Sequence, residues 1–293
     1  MKLKKFMIPF ITACLTFGIC GVATGCSVDK FNIDPNPKIS QDFDKKLDEY
    51  ASLIINYGCK IQKGDTLFMD VPVSIANLAR RCVDKAYDAG AREVAVRWWD
   101  KYTDHEHLNR ADTLVLSEVP EFTFAMGEGY IAKGASYLKI ITPDPTVNND
   151  VDKSRISANS KSEKLAKKVQ SDASSNDTVP WTLCCAPDEG WAKAVFPDKS
   201  AEDAVDSLWR NIFEAVRVNG DGNVVARWED HAKTLEARAA KLNEYNFKSL
   251  HYTNSLGTDL TVDLPKGHIW TASTMHMAKT GHPFVANIPT EEV

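Results

Sequence analysis

The chain has 293 residues, 43% of them apolar and 26% charged, with 40 acidic residues against 35 basic ones. These are ordinary globular values, and the length suits one large domain or two smaller ones. The acidic balance argues against nucleic acid as a partner, because phosphate binding needs clustered cationic charge.

The first residues read as an export signal. Lys2, Lys4 and Lys5 form a basic region, an apolar run follows from Phe6 to Val22, and Ala23-Thr24-Gly25 places small residues directly before Cys26. The arrangement resembles the bacterial lipobox, whose cysteine receives a lipid after cleavage, although Ala23 stands where Leu or Val is usual. The expectation is a signal over residues 1–26, lipidation at Cys26, and a membrane-anchored protein on the extracytoplasmic face of a bacterium. Plain secretion and a cytoplasmic location are the alternatives. No methionine lies between Met7 and Met69, so an ordinary internal start would not discard the signal and keep the domain that follows. Without residues 1–25, 32 basic residues face 40 acidic ones and the net charge is −8. Residues 27–39, with Pro35 and Pro37, carry no period and read as a tether.

From Ser40 the pattern is regular. Phe43, Leu47, Tyr50, Ile54 and Tyr57 recur at three to four residues, predicting an amphipathic helix capped by Ser40 and ended by Gly58. A βαβ unit follows: a strand at 66–71, a helix at 74–89 closed by Gly90, and a strand at 93–98. This order implies parallel pairing with a right-handed connection. Residues 120–133 and 136–141 read as a helix and a strand. The polar stretch 148–177 holds a surface helix near 156–169, and 179–186 reads as a buried strand. Two long helices, 201–216 (capped by Ser200) and 228–245, then precede short strand patterns at 249–253, 260–264 and 268–272. The reading divides the chain into an α/β domain over 40–247 and a short β-rich segment over 248–293.

Few residues here announce chemistry. Gly127, Gly129 and Gly134 approximate a nucleotide fingerprint, but they precede a strand instead of following one. His105 and His107 flank Glu106 and read as a solvated turn, since alternate helical residues point about 200° apart and do not converge on one ion. His231, His251, His268, His276 and His282 are scattered, with no HExxH among them. Cys59, Cys82, Cys184 and Cys185 show no CxxC spacing and read as small buried hydrophobes. The last residues, Pro289-Thr290-Glu291-Glu292-Val293, put two carboxylates after a strand-like run. Carboxylate oxygens are hard ligands able to bridge two divalent ions.

An ordered set of blocks gives these carboxylates more weight. Residues 50–58 (YASLIINYG), 61–67 (IQKGDTL), 86–94 (AYDAGAREV), 191–198 (WAKAVFPD), 250–252 (LHY), 257–265 (GTDLTVDLP), 267–270 (GHIW) and 287–293 (NIPTEEV) together resemble the aminopeptidase T/S family of metallopeptidases. The resemblance implies a mostly parallel α/β sheet with flanking helices, like that family's amino-terminal domain, followed by a short β-rich carboxy-terminal segment. It implies peptide substrates, two divalent metal ions (Co, Zn or Mg), a homodimer, and one metal ligand at Glu291 or Glu292. The family's other ligands lie downstream of this motif, so the expectation is a chain that is incomplete and inactive alone. The alternative is a non-enzymatic surface lipoprotein that binds peptides or a protein partner.

Overall fold

The computed structural model describes residues 41–118 and 120–291, all within the unit Asp34–Val293. Helix α1, Gln41–Ser52, runs directly into a π-helical segment, Leu53–Gly58. The expected single helix to Gly58 therefore changes pitch midway. The cause lies in the run Leu53-Ile54-Ile55, with Tyr57 following. All four side chains are buried, and a regular α-helix buries only one stripe. The wider turn is closed by the Cys59 N–H on the Ile54 carbonyl at 2.8 Å.

Gly58 is not a left-handed cap; that conformation falls to Lys60, at φ +48°. Glycine is needed at 58 because a Cβ there would stand 2.7 Å from Ile288 Cδ1 and 3.0 Å from Thr182 Cγ2. Gly58→Ala should therefore cost about 1–3 kcal/mol through overpacking, read as a lower urea midpoint. An unchanged midpoint would show that the contact yields freely.

The βαβ unit appears as β1 (Thr66–Pro72), α2 (Ala76–Asp88) and β2 (Glu93–Trp99). Next come α3 (Lys101–Arg110), α4 (Thr113–Ser117), α5 (Ala125–Ala132) and β3 (Ser136–Ile141). Helices α6 (Lys153–Ala166) and α7 (Lys168–Ser175) lead to β4 (Trp181–Cys185), followed by α8 (Glu189–Val195), α9 (Ala201–Ala215) and α10 (Val224–Tyr245). The hairpin β5–β6 (Ser249–Thr253, Asp259–Asp263) and the pair β7–β8 (Thr274–His276, Pro283–Val285) are antiparallel. Strand β9, Asn287–Ile288, returns to the main sheet, whose order is β2-β1-β3-β4-β9 and whose pairs are all parallel.

Two further expectations are corrected. His105 and His107 lie in α3, not in a turn, because Asp100 caps that helix with its carboxylate on the Tyr102 N–H. His105 meets Asn148 and Asp150 while His107 is exposed, so the two rings diverge as helical geometry requires. Residues 268–272 form no strand. The Trp270 N–H and carbonyl are both taken by the Asn243 side chain on α10, at 2.7 and 2.8 Å, and the strand forms at β7 instead.

The sheet separates two cores. Leu67, Met69, Val71, Leu138 and Ile140 face α1, α2, α9 and α10, where Tyr50, Leu78, Phe213 and Trp228 are buried. On the other face Phe68, Ala95 and Tyr137 meet Ile131 of α5 and Ala173 of α7. Gly127 belongs to that second packing: a Cβ would stand 2.9 Å from the Phe68 ring, a steric reason for glycine unrelated to phosphate. The connection from β1 to β2 thus lies on one face and helices leading to β3 and β4 on the other. That reversal makes the carboxyl ends of β1 and β3 a topological switch point.

Glu49 on α1 is buried and ties the first core to the start of α10. Its Oε1 accepts from the Val224 N–H at 3.0 Å and from Arg227 at 2.9 Å, and its Oε2 accepts from the Gly220 N–H.

Candidate functional site

Two of the three residues singled out in the sequence, Cys26 and Glu292, lie outside the described residues; Glu291 is described. Strands β8 and β9 and the cis Ile288–Pro289 bond carry it beside the end of α9 and the first turns of α10. There Arg217 grips it at both oxygens, Nη1 to Oε1 at 2.7 Å and Nη2 to Oε2 at 3.1 Å. Bidentate guanidinium–carboxylate pairing is directional as well as strong. It holds the Glu291 carboxyl below the usual carboxylate range, chiefly through the Arg217 hydrogen bond, with partial burial opposing.

Arg217 follows α9 in the left-handed conformation, φ +58°, and its carbonyl accepts from Arg227 Nε at 2.8 Å. Its guanidinium lies over the Trp228 ring, 5.3 Å from the centroid. His231, one turn further along α10, stands edge-on to the same ring at 5.4 Å. Its Nε2 lies 2.9 Å from the Thr290 carbonyl and 3.4 Å from Glu291 Oε2, and its Nδ1 lies 3.3 Å from Arg217 Nη2. These partners assign the ring roles: Nε2 donates to Thr290 and Nδ1 accepts from Arg217.

The sequence reading missed Arg217 and left His231 unassigned, because residues 74 and 60 positions before Glu291 show no shared motif. The usable signal was weak: an arginine just after a helix with a regular apolar period, and a histidine three residues after a tryptophan on the apolar face of the next helix.

Glu291 and His231 have ligand chemistry, but both oxygens of the first and Nδ1 of the second are bonded to Arg217. Among the described residues no group of three or more His, Cys, Asp or Glu side chains is placed to hold a metal ion. Those residues therefore do not by themselves fit a divalent pair, which needs several anionic or imidazole donors.

Comparison with known proteins supplies the decisive observation. Residues 43–293 match the family model of the thermophilic metalloproteases (M29). The chain belongs to that family. Aminopeptidase PepS of Streptococcus thermophilus is 40% identical over 253 residues, and aminopeptidase AmpS of Bacillus subtilis 36% over 252; each match covers 86% of this chain. The structure of wild-type AmpT from Thermus thermophilus superposes with a TM-score of 0.78 at 29% identity, covering 85% of this chain. The chain spans 60% of the length of each of these M29 relatives and corresponds to their amino-terminal part. The parallel sheet with flanking helices and the short antiparallel strands after it agree with the fold expected from the sequence.

Proposed function

We propose that this chain is the sheet-bearing part of a metal-dependent aminopeptidase and contributes Glu291 or Glu292 as one metal ligand. The observation that carries the reading is the M29 match, which runs through residues 287–293 with the Pro-Thr-Glu-Glu motif included. Divalent metal use follows from the family, and such ions activate water and stabilise a developing oxyanion. Within this chain Glu291 supplies a carboxylate already ionised and aimed by Arg217, and His231 fixes the backbone at Thr290. Among the described residues no further donors gather around Glu291, so these residues by themselves are not expected to turn over a peptide. The basic and apolar leader before Cys26 supports attachment to a membrane by a lipid there.

The test is hydrolysis of a leucine chromogenic amide by the purified chain with added cobalt or zinc, with metal content measured on the same sample. The expected result is no chelator-sensitive turnover and fewer than two bound ions per chain. Turnover with about two ions per chain would mean that these residues complete a site unaided.

A further inference from the structure

A cavity of about 580 Å³ opens at the carboxyl ends of β1, β2 and β3, on the face opposite the main core. Its floor is a row of three charged side chains set by strand register, since Asp70 pairs with Arg97 across one ladder and with Lys139 across the other. Adjacent strands lie about 4.8 Å apart, so the three groups project side by side. No single segment of the sequence carries this row.

The row is not internally satisfied. Asp70 Oδ2 accepts from Arg97 at 2.9 Å, but the side chain is 94% buried and Oδ1 has no hydrogen-bond partner among the described residues. Lys139 is partly withdrawn from water, and burial pushes its ammonium pKa down. Asp70 is its neighbour across the ladder, and the other nearby acid is committed elsewhere. Glu163 on α6 binds Lys167 at 2.6 Å and Asn159 at 3.0 Å. A buried acceptor left unanswered, beside a partly buried ammonium with no hydrogen-bond partner among the described residues, costs free energy that a ligand offering both complements would recover.

The charges around the cavity narrow the ligand class. Arg97, Lys139 and Lys167 are balanced by Asp70, Asp104 and Glu163, so there is no excess positive charge to hold a phosphate. A simple anion on Lys139 would face the bare oxygen of Asp70, and a simple cation on Asp70 would face Lys139. A molecule carrying both charges on neighbouring atoms meets neither penalty. Trp99 and Ile141, in the next row of the sheet, add an apolar wall.

We propose that this cavity binds a free α-amino acid with an apolar side chain, its carboxylate on Lys139 and its ammonium on Asp70 Oδ1. The site shares no residue with the Arg217–Glu291–His231 cluster, and its occupation requires no turnover. It lies at the sheet's switch point, where open α/β folds take ligands.

Calorimetric titration of the purified full chain with L-leucine, leucinamide and 4-methylpentanoate tests this. L-Leucine should bind saturably. Leucinamide, which lacks the carboxylate, and 4-methylpentanoate, which lacks the amine, should each bind at least about tenfold more weakly. Lys139→Met keeps the aliphatic stem and should weaken leucine binding by about tenfold or more. The native-chain comparison decides the matter alone if that variant does not fold. No saturation by L-leucine at about 10 mM, equal binding of all three compounds, or tighter binding of inorganic phosphate would overturn the assignment.

Discussion

Raising the pH from about 8 to about 10 should destabilise the folded chain by several kcal/mol, because its thiols are held neutral by burial. Cys59, Cys82 and Cys184 are buried in the main core. Burial pushes Cys59 up to about 12, against a small opposing hydrogen bond from Thr182, and pushes Cys185 up to about 11. Cys82 and Cys184 are raised by burial and by neighbouring thiols.

The sign follows from proton counting. Above pH 9 the unfolded chain releases thiol protons that the folded chain keeps, so the stabilisation is present below the unfolded pKa and lost as pH climbs toward the folded one. For Cys59 the loss is about tenfold in the folding equilibrium per pH unit between about 9 and about 12. The other thiols act in the same direction, against a total stability of about 5–15 kcal/mol for a typical domain. Urea midpoints at pH 8, 9 and 10 measure the effect. Cys59→Ala should lower the midpoint at pH 8 yet flatten its decline. A midpoint that does not move up to pH 10, or the same slope in the variant, would refute the account.

Replacing Glu49 by alanine should cost about 3 kcal/mol, because it strips one buried carboxylate from three donors at once. The Gly220 and Val224 N–H groups precede and open α10, so their loss of a partner loosens the entry to that helix. Arg227 keeps Asp221, at 2.8 and 2.9 Å, which limits the damage on that side. For a domain of this size the change is about 6–12 °C in Tm, followed by circular dichroism. Lys46→Ala, which removes a surface α1 ion pair between the half-buried Lys46 and the exposed Asp42, should shift Tm by no more than about 2 °C. If the two variants melt together, the Glu49 network is not holding α1 to α10.

Much of this fold was legible because its elements are locally consistent. The α2 stripe of Leu78, Cys82 and Ala86, the cap at Ser200 and the strand 136–141 each satisfy their own periodicity and also face the core. What stayed hidden depends on contacts between distant segments. The π-helical turn answers the packing of four buried side chains, and the missing strand at 268–272 reflects capture of Trp270 by Asn243. Glu291 could be picked out through its motif, but its partners Arg217 and His231 share no pattern with it. The Asp70–Arg97–Lys139 row was invisible for another reason: it exists only once three strands fix their register.

The pairing of β9 with β4 sets a timetable for making the protein. Strand β4 ends at Cys185 and its outer neighbour begins at Asn287, so about a hundred residues separate the two sides of one ladder. A ribosome adding about 5–20 residues per second takes roughly 5–20 s to cover that stretch. Throughout it the outer edge of β4 has no strand to bond: the Leu183 N–H lacks the Ala286 carbonyl and the Thr182 hydroxyl lacks the Val285 carbonyl, which they later reach at 2.7 and 3.0 Å. A nascent chain in that interval presents an open sheet edge to its neighbours on the same messenger, and crowded polysomes are where strand addition between copies would begin.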